Sequence, residues 1–334
     1  MISRRRFVSG LTVAGTSIVV GRRPDPANAE PPPETTKLRL IQVPSICRSP
    51  QYVAEPLLRS EGFTDVQYVR RAGSAEVATA LASGEIDISM GFVGPMLMSI
   101  DTGQPLVVLG PGHVGCFELF GNDRVHSIRD LKGKKVAIPA WGTSSQHTFV
   151  AAMVTYVGLN PRKDIDWVTA PQQESVRLFT AGKIDALIAL PPEPQELRAK
   201  KIGRVIVDSS VDQPWSQYFC CLMVGNREFV RKHPVATKRA LRALLKATDM
   251  CAVDPEAVAR TLVDKGFAER YDYALQTMRE IPYRKWRDYD VEDTVRFYSL
   301  RLHEAGLIKS GPKKIITQGT EWRFLNELKK ELKG

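Results

Sequence analysis

Gly84-Glu85-Ile86-Asp87-Ile88-Ser89-Met90 and Gly182-Lys183-Ile184-Asp185-Ala186-Leu187-Ile188 share one pattern: a glycine, a charged residue, Ile-Asp, then an apolar run. Each follows an amphipathic stretch, with Val77, Ala80 and Leu81 before the first and Val176 and Phe179 before the second. That spacing predicts a helix, and the glycine is its expected C-terminal cap, since it enters left-handed backbone without a Cβ penalty. The Ile-Asp runs then predict strands over 85–90 and 183–188.

Upstream of each run the same order recurs. In the first copy a strand over 38–43, a turn at Gly62 and a strand over 65–69 precede the helix. In the second, a strand over 135–138, a helix over 143–157, a turn at Gly158 and a strand over 165–168 do so. The offsets between matching points are 97 (Ile41 to Ile138), 96 (Gly62 to Gly158) and 98 (Gly84 to Gly182). Two β-α-β-α-β units imply an α/β protein of two lobes, each with a parallel-rich sheet, and a cleft between them. Extended segments at 106–109 and 116–120, and again at 205–207 and 219–224, predict two crossings that form a hinge. This assigns 37–112 and a mostly helical return, 219–305, to the first lobe and 116–218 to the second. Residues 306–334 form a tail whose last helix, over 320–332, packs on the first lobe.

The chain has 334 residues, enough for two lobes, and its 43% hydrophobic content suffices for a buried core. Residues 1–29 read as a cleaved signal peptide. Arg4-Arg5-Arg6 precede a mildly apolar stretch, and Ala27-Asn28-Ala29 supplies a signal-peptidase site. The run Ser3-Arg4-Arg5-Arg6-Phe7-Val8 resembles a twin-arginine export signal, which implies that export machinery as a partner and a periplasmic destination. Five arginines and Asp25 leave with the segment, so the mature chain keeps 42 basic and 36 acidic side chains, a formal charge of +6. That mild excess, spread along helices, does not call for nucleic acid. The cysteines are Cys47, Cys116, Cys220, Cys221 and Cys251, with no C-x-x-C pair. An odd count leaves at least one thiol free, and a disulfide between Cys116 and Cys220 or Cys221 on the crossings stays open. No metal site or cofactor is expected.

In open parallel sheets, ligands bind beyond the carboxyl ends of the strands. The loops there carry Ser45, Arg48 and Ser49 in one place, Phe92 and Gly94 in another, Trp141, Gly142, Thr143, Ser144 and Ser145 in a third, and Pro192 and Glu193 in a fourth. Each leads into a predicted helix N-terminus, which favours an anion. Arg48 adds a positive charge, Trp141 and Phe92 suit an apolar body, and Glu193 suits an amine. His113 and Trp215 complete the candidate ligand-binding set. A small organic acid, a sulfonate or carboxylate, is the expected ligand.

These residues resemble a known family. The order of elements, Gly-Glu-Ile-Asp with its second copy Gly-Lys-Ile-Asp, and Gly133-Lys134-Lys135-Val136-Ala137-Ile138-Pro139 before Gly142-Thr143-Ser144-Ser145 are similar to nitrate/sulfonate/taurine-type periplasmic substrate-binding proteins of ABC importers. That family shares a domain with thiamine-pyrimidine synthases. The resemblance covers residues 37–305 and implies a periplasmic-binding-protein fold that closes over a ligand as a monomer. It also implies a permease with its ATPase as partner. The alternative of a pyrimidine-synthase-like enzyme implies a cysteine-rich iron-binding run, of which only Cys220-Cys221 is present in that style. No G-x-S-x-G elbow or H-E-x-x-H helix occurs. A binder rather than an enzyme is expected, with a periplasmic sensor lobe as a third reading.

Overall fold

The computed structural model describes residues 30–332 other than 44, 72, 74 and 75. The signal-peptide reading of residues 1–29 lies outside the described residues. In chain order the strands are β1 (Lys37–Gln42), β2 (Asp65–Arg70), β3 (Ile88–Phe92), β4 (Leu106–Val114), β5 (Glu118–Gly121), β6 (Lys135–Ile138), β7 (Asp166–Thr169), β8 (Ala186–Ala189), β9 (Arg204–Asp208) and β10 (Phe219–Asn226).

The second copy builds a sheet of order β7-β6-β8-β5-β9. Its β6 pairs parallel with β7 and β8, while β5 runs antiparallel to β8 and β9. In the first copy β1 and β2 pair parallel, and β10 lies antiparallel between β3 and β4. The Asp87 N–H donates to the Arg39 carbonyl at 2.9 Å, which joins β3 to β1 and gives the matching order β2-β1-β3-β10-β4. Each sheet thus runs four strands one way and one, second from the edge, the other way. That reversed strand is contributed across the molecule: β5 follows the first copy but enters the second sheet, and β10 follows the second copy but enters the first. The chain therefore crosses twice, between β4 and β5 and between β9 and β10.

The repeated Ile-Asp has a structural cause. Asp87 accepts the Arg39 backbone N–H at 2.7 Å, and Asp185 accepts that of Lys135 at 3.0 Å. Both aspartates return a bond, from their own N–H to the carbonyl of the same partner. Their own carbonyls accept from the N–H groups of Asn226, the last residue of β10, and Asn122, the residue after β5. Because the aspartate spends its side chain on a backbone N–H of the neighbouring strand, strand geometry begins only after it. Hence β3 starts at Ile88 and β8 at Ala186 rather than at 85 and 183. The capping glycines behave as expected, with φ of +73° at Gly84 and +68° at Gly182.

Strands β4 and β10 are buried along their whole length, because helices cover both faces of the sheet and the edge at β4. The long helix Pro234–Val253 covers the first sheet with Leu241, Leu244 and Leu245 inward. Two C-terminal helices, Pro312–Gly319 and Arg323–Glu331, pack on β4, and the second also meets that long helix. The last helix expected over 320–332 is present and starts at Arg323, because Thr320 bridges to Val108. Pro32–Gly334 form one compact unit, so the two α/β halves lie packed together.

Candidate functional site

The two crossings meet each other directly. The Phe117 N–H donates to Ser209 Oγ at 2.9 Å, and the Ser209 N–H donates back to the Phe117 carbonyl at 2.9 Å. Gly115 has φ +76°, and a Cβ there would lie 2.6 Å from the Ser210 Cβ, so only glycine fits. Cys116 follows at φ +99°, a left-handed conformation that costs a non-glycine residue of order 1–3 kcal/mol.

Beside the crossings, the N-terminus of helix Val93–Asp101 from the first half abuts helix Ser145–Tyr156 from the second. A Cβ on Gly94 would lie 2.2 Å from Thr148 Oγ1 and 2.6 Å from its Cβ. The residual cavity at this seam is about 10 Å³ and is lined by Phe92, Gly94, Phe117, Ser145, Phe149 and Tyr298 among others. Phe92 packs on Phe117 at 5.0 Å, and Phe117 stacks on Phe149 at 4.5 Å. The arrangement is a closed one with an aromatic seam. Phe117, Thr148, Phe149 and Tyr298 belong to it, yet only β-strand or helix periodicity marks them in the sequence, which looks the same for a core residue.

Arg48 sits under this seam with no exposure. Gln51 and Tyr52 hold it there. Gln51 Nε2 donates to the Ile41 carbonyl while its Oε1 accepts from the Met90 N–H at 2.8 Å, and the Tyr52 hydroxyl donates to the Val43 carbonyl at 2.7 Å. This pulls the turn after β1 back against β3. Arg48 Nη1 donates to the Met90 carbonyl at 2.6 Å and the guanidinium lies 5.3 Å from the Phe92 ring centre. Its Nε and Nη2 have no hydrogen-bond partner among the described residues. Ser49 Oγ donates to the Ile46 carbonyl, and Ser45 Oγ lies 3.1 Å from Cys47 Sγ. The helix Ser49–Val53 has only five residues, so its dipole is small.

The Gly142–Ser145 loop is engaged by its own helix. Ser144 is the N-cap: its Oγ accepts from the His147 N–H and donates to the Ala140 carbonyl at 2.6 Å. The Gly142 N–H donates to His147 Nδ1 at 3.1 Å. Burial, aided by Arg162, holds His147 down at about 4, so it is neutral and its Nδ1 can accept. Trp141, 46% exposed, packs on His147 at 4.3 Å and not on Phe92, and Thr143 faces solvent. Trp215 lies in an aromatic core with Phe149, Tyr156 and Phe297. Pro192 and Glu193 begin helix Glu193–Ala199, and Glu193 Oε2 has no partner among the described residues. Burial pushes the Glu193 carboxyl up to about 7. Further along that helix, Arg198 bridges Glu118 of the second half and Glu280 of the first.

His113 belongs to a different group. Its ligating nitrogen and the sulfurs of Cys47 and Cys116 lie within 4.8 Å of one another, as do those of His113, Cys220 and Cys221. Cys116 Sγ is 3.2 Å from Cys220 Sγ, and Cys220 Sγ is 3.5 Å from His113 Nδ1. All five cysteines are free thiols, including the Cys116 and Cys220 pair that the crossings do bring together. Burial works against a charged His113, yet contacts with Cys220 and Cys221 hold it well above its ordinary value. Burial likewise opposes ionisation of Cys221, yet hydrogen bonds from Cys116, Cys220 and Cys47 hold it well below the usual thiol. His113 Nε2 has no partner among the described residues.

No helix among the described residues is long and apolar enough to cross a membrane. The structure is similar to the periplasmic nitrate-binding protein of Synechocystis, with TM-score 0.74, 17% identity, and 91% of this chain and 90% of that chain covered. It is also similar to the alkanesulfonate-binding protein of Xanthomonas axonopodis bound to MOPS, with TM-score 0.65, 18% identity, and coverage of 84% and 95%. These likenesses establish the two-lobed periplasmic-binding-protein fold. In sequence the chain matches 4-amino-5-hydroxymethyl-2-methylpyrimidine phosphate synthases of Saccharomyces cerevisiae at 23% identity over 259 residues, 72% of each chain. The sequence model of the NMT1-like family matches residues 31–263, more than half of the chain, and the protein belongs to that family.

Proposed function

We propose that the protein is an exported solute-binding protein that captures a small organic anion between its two halves and delivers it to an ABC import permease. The observation that carries this reading is Arg48: a fully buried cation whose Nε and Nη2 lack partners and which makes no ion pair among the described residues. A buried, unpaired guanidinium costs several kcal/mol, and a carboxylate or sulfonate accepting from it would offset that cost. The aromatic rings of Phe92, Phe117 and Phe149 suit an organic body better than nitrate. The nitrate- and alkanesulfonate-binding neighbours, both named for anions, fit the same class.

In this reading residues 37–112 and 219–305 form one lobe, 116–218 the other, and the crossings are the hinge of a monomer. Entry requires the aromatic seam to part, as in hinge closure around ligands. Residues 1–29 act as a twin-arginine-type signal, so Arg4→Lys with Arg5→Lys traps precursor in the cytoplasm; normal processing of that variant would remove the export reading.

The binding test is calorimetry of the full chain against sulfonates, carboxylates, nitrate and neutral analogues, with Arg48→Met beside it. An anion should bind, and Arg48→Met should weaken it about tenfold or more. A neutral ligand, or unchanged affinity in the variant, overturns the anion assignment. The match to the synthases supports an enzyme as second reading. Conversion of the bound ligand to a product, followed by mass spectrometry, separates the two.

A further inference from the structure

We propose that His113 and thiolates drawn from Cys47, Cys116, Cys220 and Cys221 bind a single soft metal ion of the Zn(II) or Cu(I) class through a shell of at most four donors, and that this ion clips the two crossings to the first half.

Three segments distant in sequence supply the donors: Cys47 from the turn after β1, His113 and Cys116 from the end of β4 and the first crossing, and Cys220 and Cys221 from the start of β10. The registers explain the convergence. Cys221 pairs with His113 across β10 and β4 and with Phe92 across β10 and β3. The irregular step between Phe219 and Cys221 lets the adjacent Cys220 approach Cys116 as well.

Tetrahedral zinc with bonds of about 2.3 Å to sulfur and 2.0 Å to nitrogen spaces its ligand atoms roughly 3.3–3.8 Å apart. The 3.2 Å and 3.5 Å separations in the cluster already approach that spacing. The candidate donors are soft, one imidazole and four sulfurs from which a four-coordinate ion draws, which selects Zn(II) or Cu(I) over hard cations. His113 is wholly buried with Nε2 unpartnered, and each of the four cysteines is at most 6% exposed. No described carboxylate joins the cluster. Such burial suits a resident ion.

The position assigns the consequence. Cys116 lies on one crossing, Cys220 at the end of the other, and Cys47 on the first half beneath the seam. An ion shared by them restrains the segments about which the halves would rotate. Cys116 also holds a left-handed backbone, and metal ligation would offset its strain.

The test uses the full chain, purified under reductant and without oxygen, then equilibrated with Zn(II), Cu(I) or Co(II) and freed of excess ion. The expected result is about one tightly held ion per chain, with a higher melting temperature than the metal-free protein. Co(II) should give sulfur-to-metal charge-transfer bands, and X-ray absorption should show a mixed sulfur and nitrogen shell. Cys116→Ser with Cys220→Ser should weaken retention at least tenfold, whereas Cys251→Ala should leave it unchanged. Should the double variant not fold, the Co(II) spectrum of the unaltered chain decides. Failure of the reduced chain to retain an ion, an oxygen-only shell, or equal retention in a folded double variant overturns the proposal. So does a Cys116–Cys220 disulfide in the isolated protein whose reduction opens no metal site.

Discussion

Gly94 and Thr148 bring the two halves into close contact: a Cβ on Gly94 would stand 2.2 Å from the Thr148 hydroxyl oxygen and 2.6 Å from its Cβ. Rotating the threonine side chain cannot relieve the second contact. Gly94→Ala should therefore wedge the seam open while leaving each half folded. Small-angle scattering should show a larger radius of gyration for the variant, and ligand affinity should fall about tenfold or more if closure is part of binding. A variant with the unaltered scattering profile would show that the seam opens and closes elsewhere.

The paired aspartates should be equivalent in stability. Asp87 holds β1 at Arg39, with the Arg39 guanidinium also on it at 2.5 Å, and Asp185 holds the start of β6 with help from Asn122 and Arg124. Replacing either by Ala leaves a strand N–H without its side-chain acceptor and an arginine without its partner. Each change should cost about 2–3 kcal/mol, less than a fully buried pair because both arginines reach solvent. Urea denaturation checks this, and a loss below about 0.5 kcal/mol for either would refute the clamp role.

Half-buried Glu193 and buried His147 should set opposite edges of the pH profile. Glu193 is raised from 4.5 to about 7, so the folded state binds its proton more tightly, and stability falls as pH rises between those values. His147 is lowered from 6.5 to about 4, so the unfolded state binds its proton more tightly, and stability falls as pH drops between those values. Each tenfold change in proton affinity between the two states is worth about 1.4 kcal/mol at most. Glu193→Gln should flatten the alkaline side of a melting-temperature profile and leave the acid side alone. His147→Gln, which keeps an acceptor for the Gly142 N–H, should do the reverse. Both variants keeping the parent profile would remove these assignments.

Arg198 joins the halves through Glu118 and Glu280. Arg198→Met should leave Glu118 buried without its cation and remove its bridge to Glu280 of the other half. The expected readout is faster amide exchange in the helices Glu193–Ala199 and Tyr271–Glu280, with the β6 and β1 cores protected as before. Uniform loss of protection would mean that Arg198 supports the whole fold instead.

Much of the fold is legible because its signals are short-range. The cap glycines, the turn at Gly62 and the strand over 135–138 depend on neighbours a few residues away, and the structure places them where spacing does. The Ile-Asp strands begin late because the aspartates bond across to Arg39 and Lys135, a long-range use that periodicity does not encode. The candidate ligand residues scatter for a related reason. Gly142 and Ser144 look like open donors and acceptors in sequence, but His147, one helical turn on, takes the Gly142 N–H. Trp141 faces solvent, while Phe117 and Phe149, indistinguishable from core residues in sequence, form the seam with Phe92.

The amino-acid sequence by itself determined the repeated α/β unit, the two crossings and the buried stripes, because apolar periodicity and capping act within one element. Only the tertiary structure decided the order and register of the strands within each sheet, with β10 between β3 and β4 and β5 between β8 and β9. That pairing brings Cys116 to Cys220 and sets His113 opposite Cys221. It also leaves Arg48 enclosed beneath the seam. Strand register couples residues a hundred positions apart, and no local pattern of side chains records it.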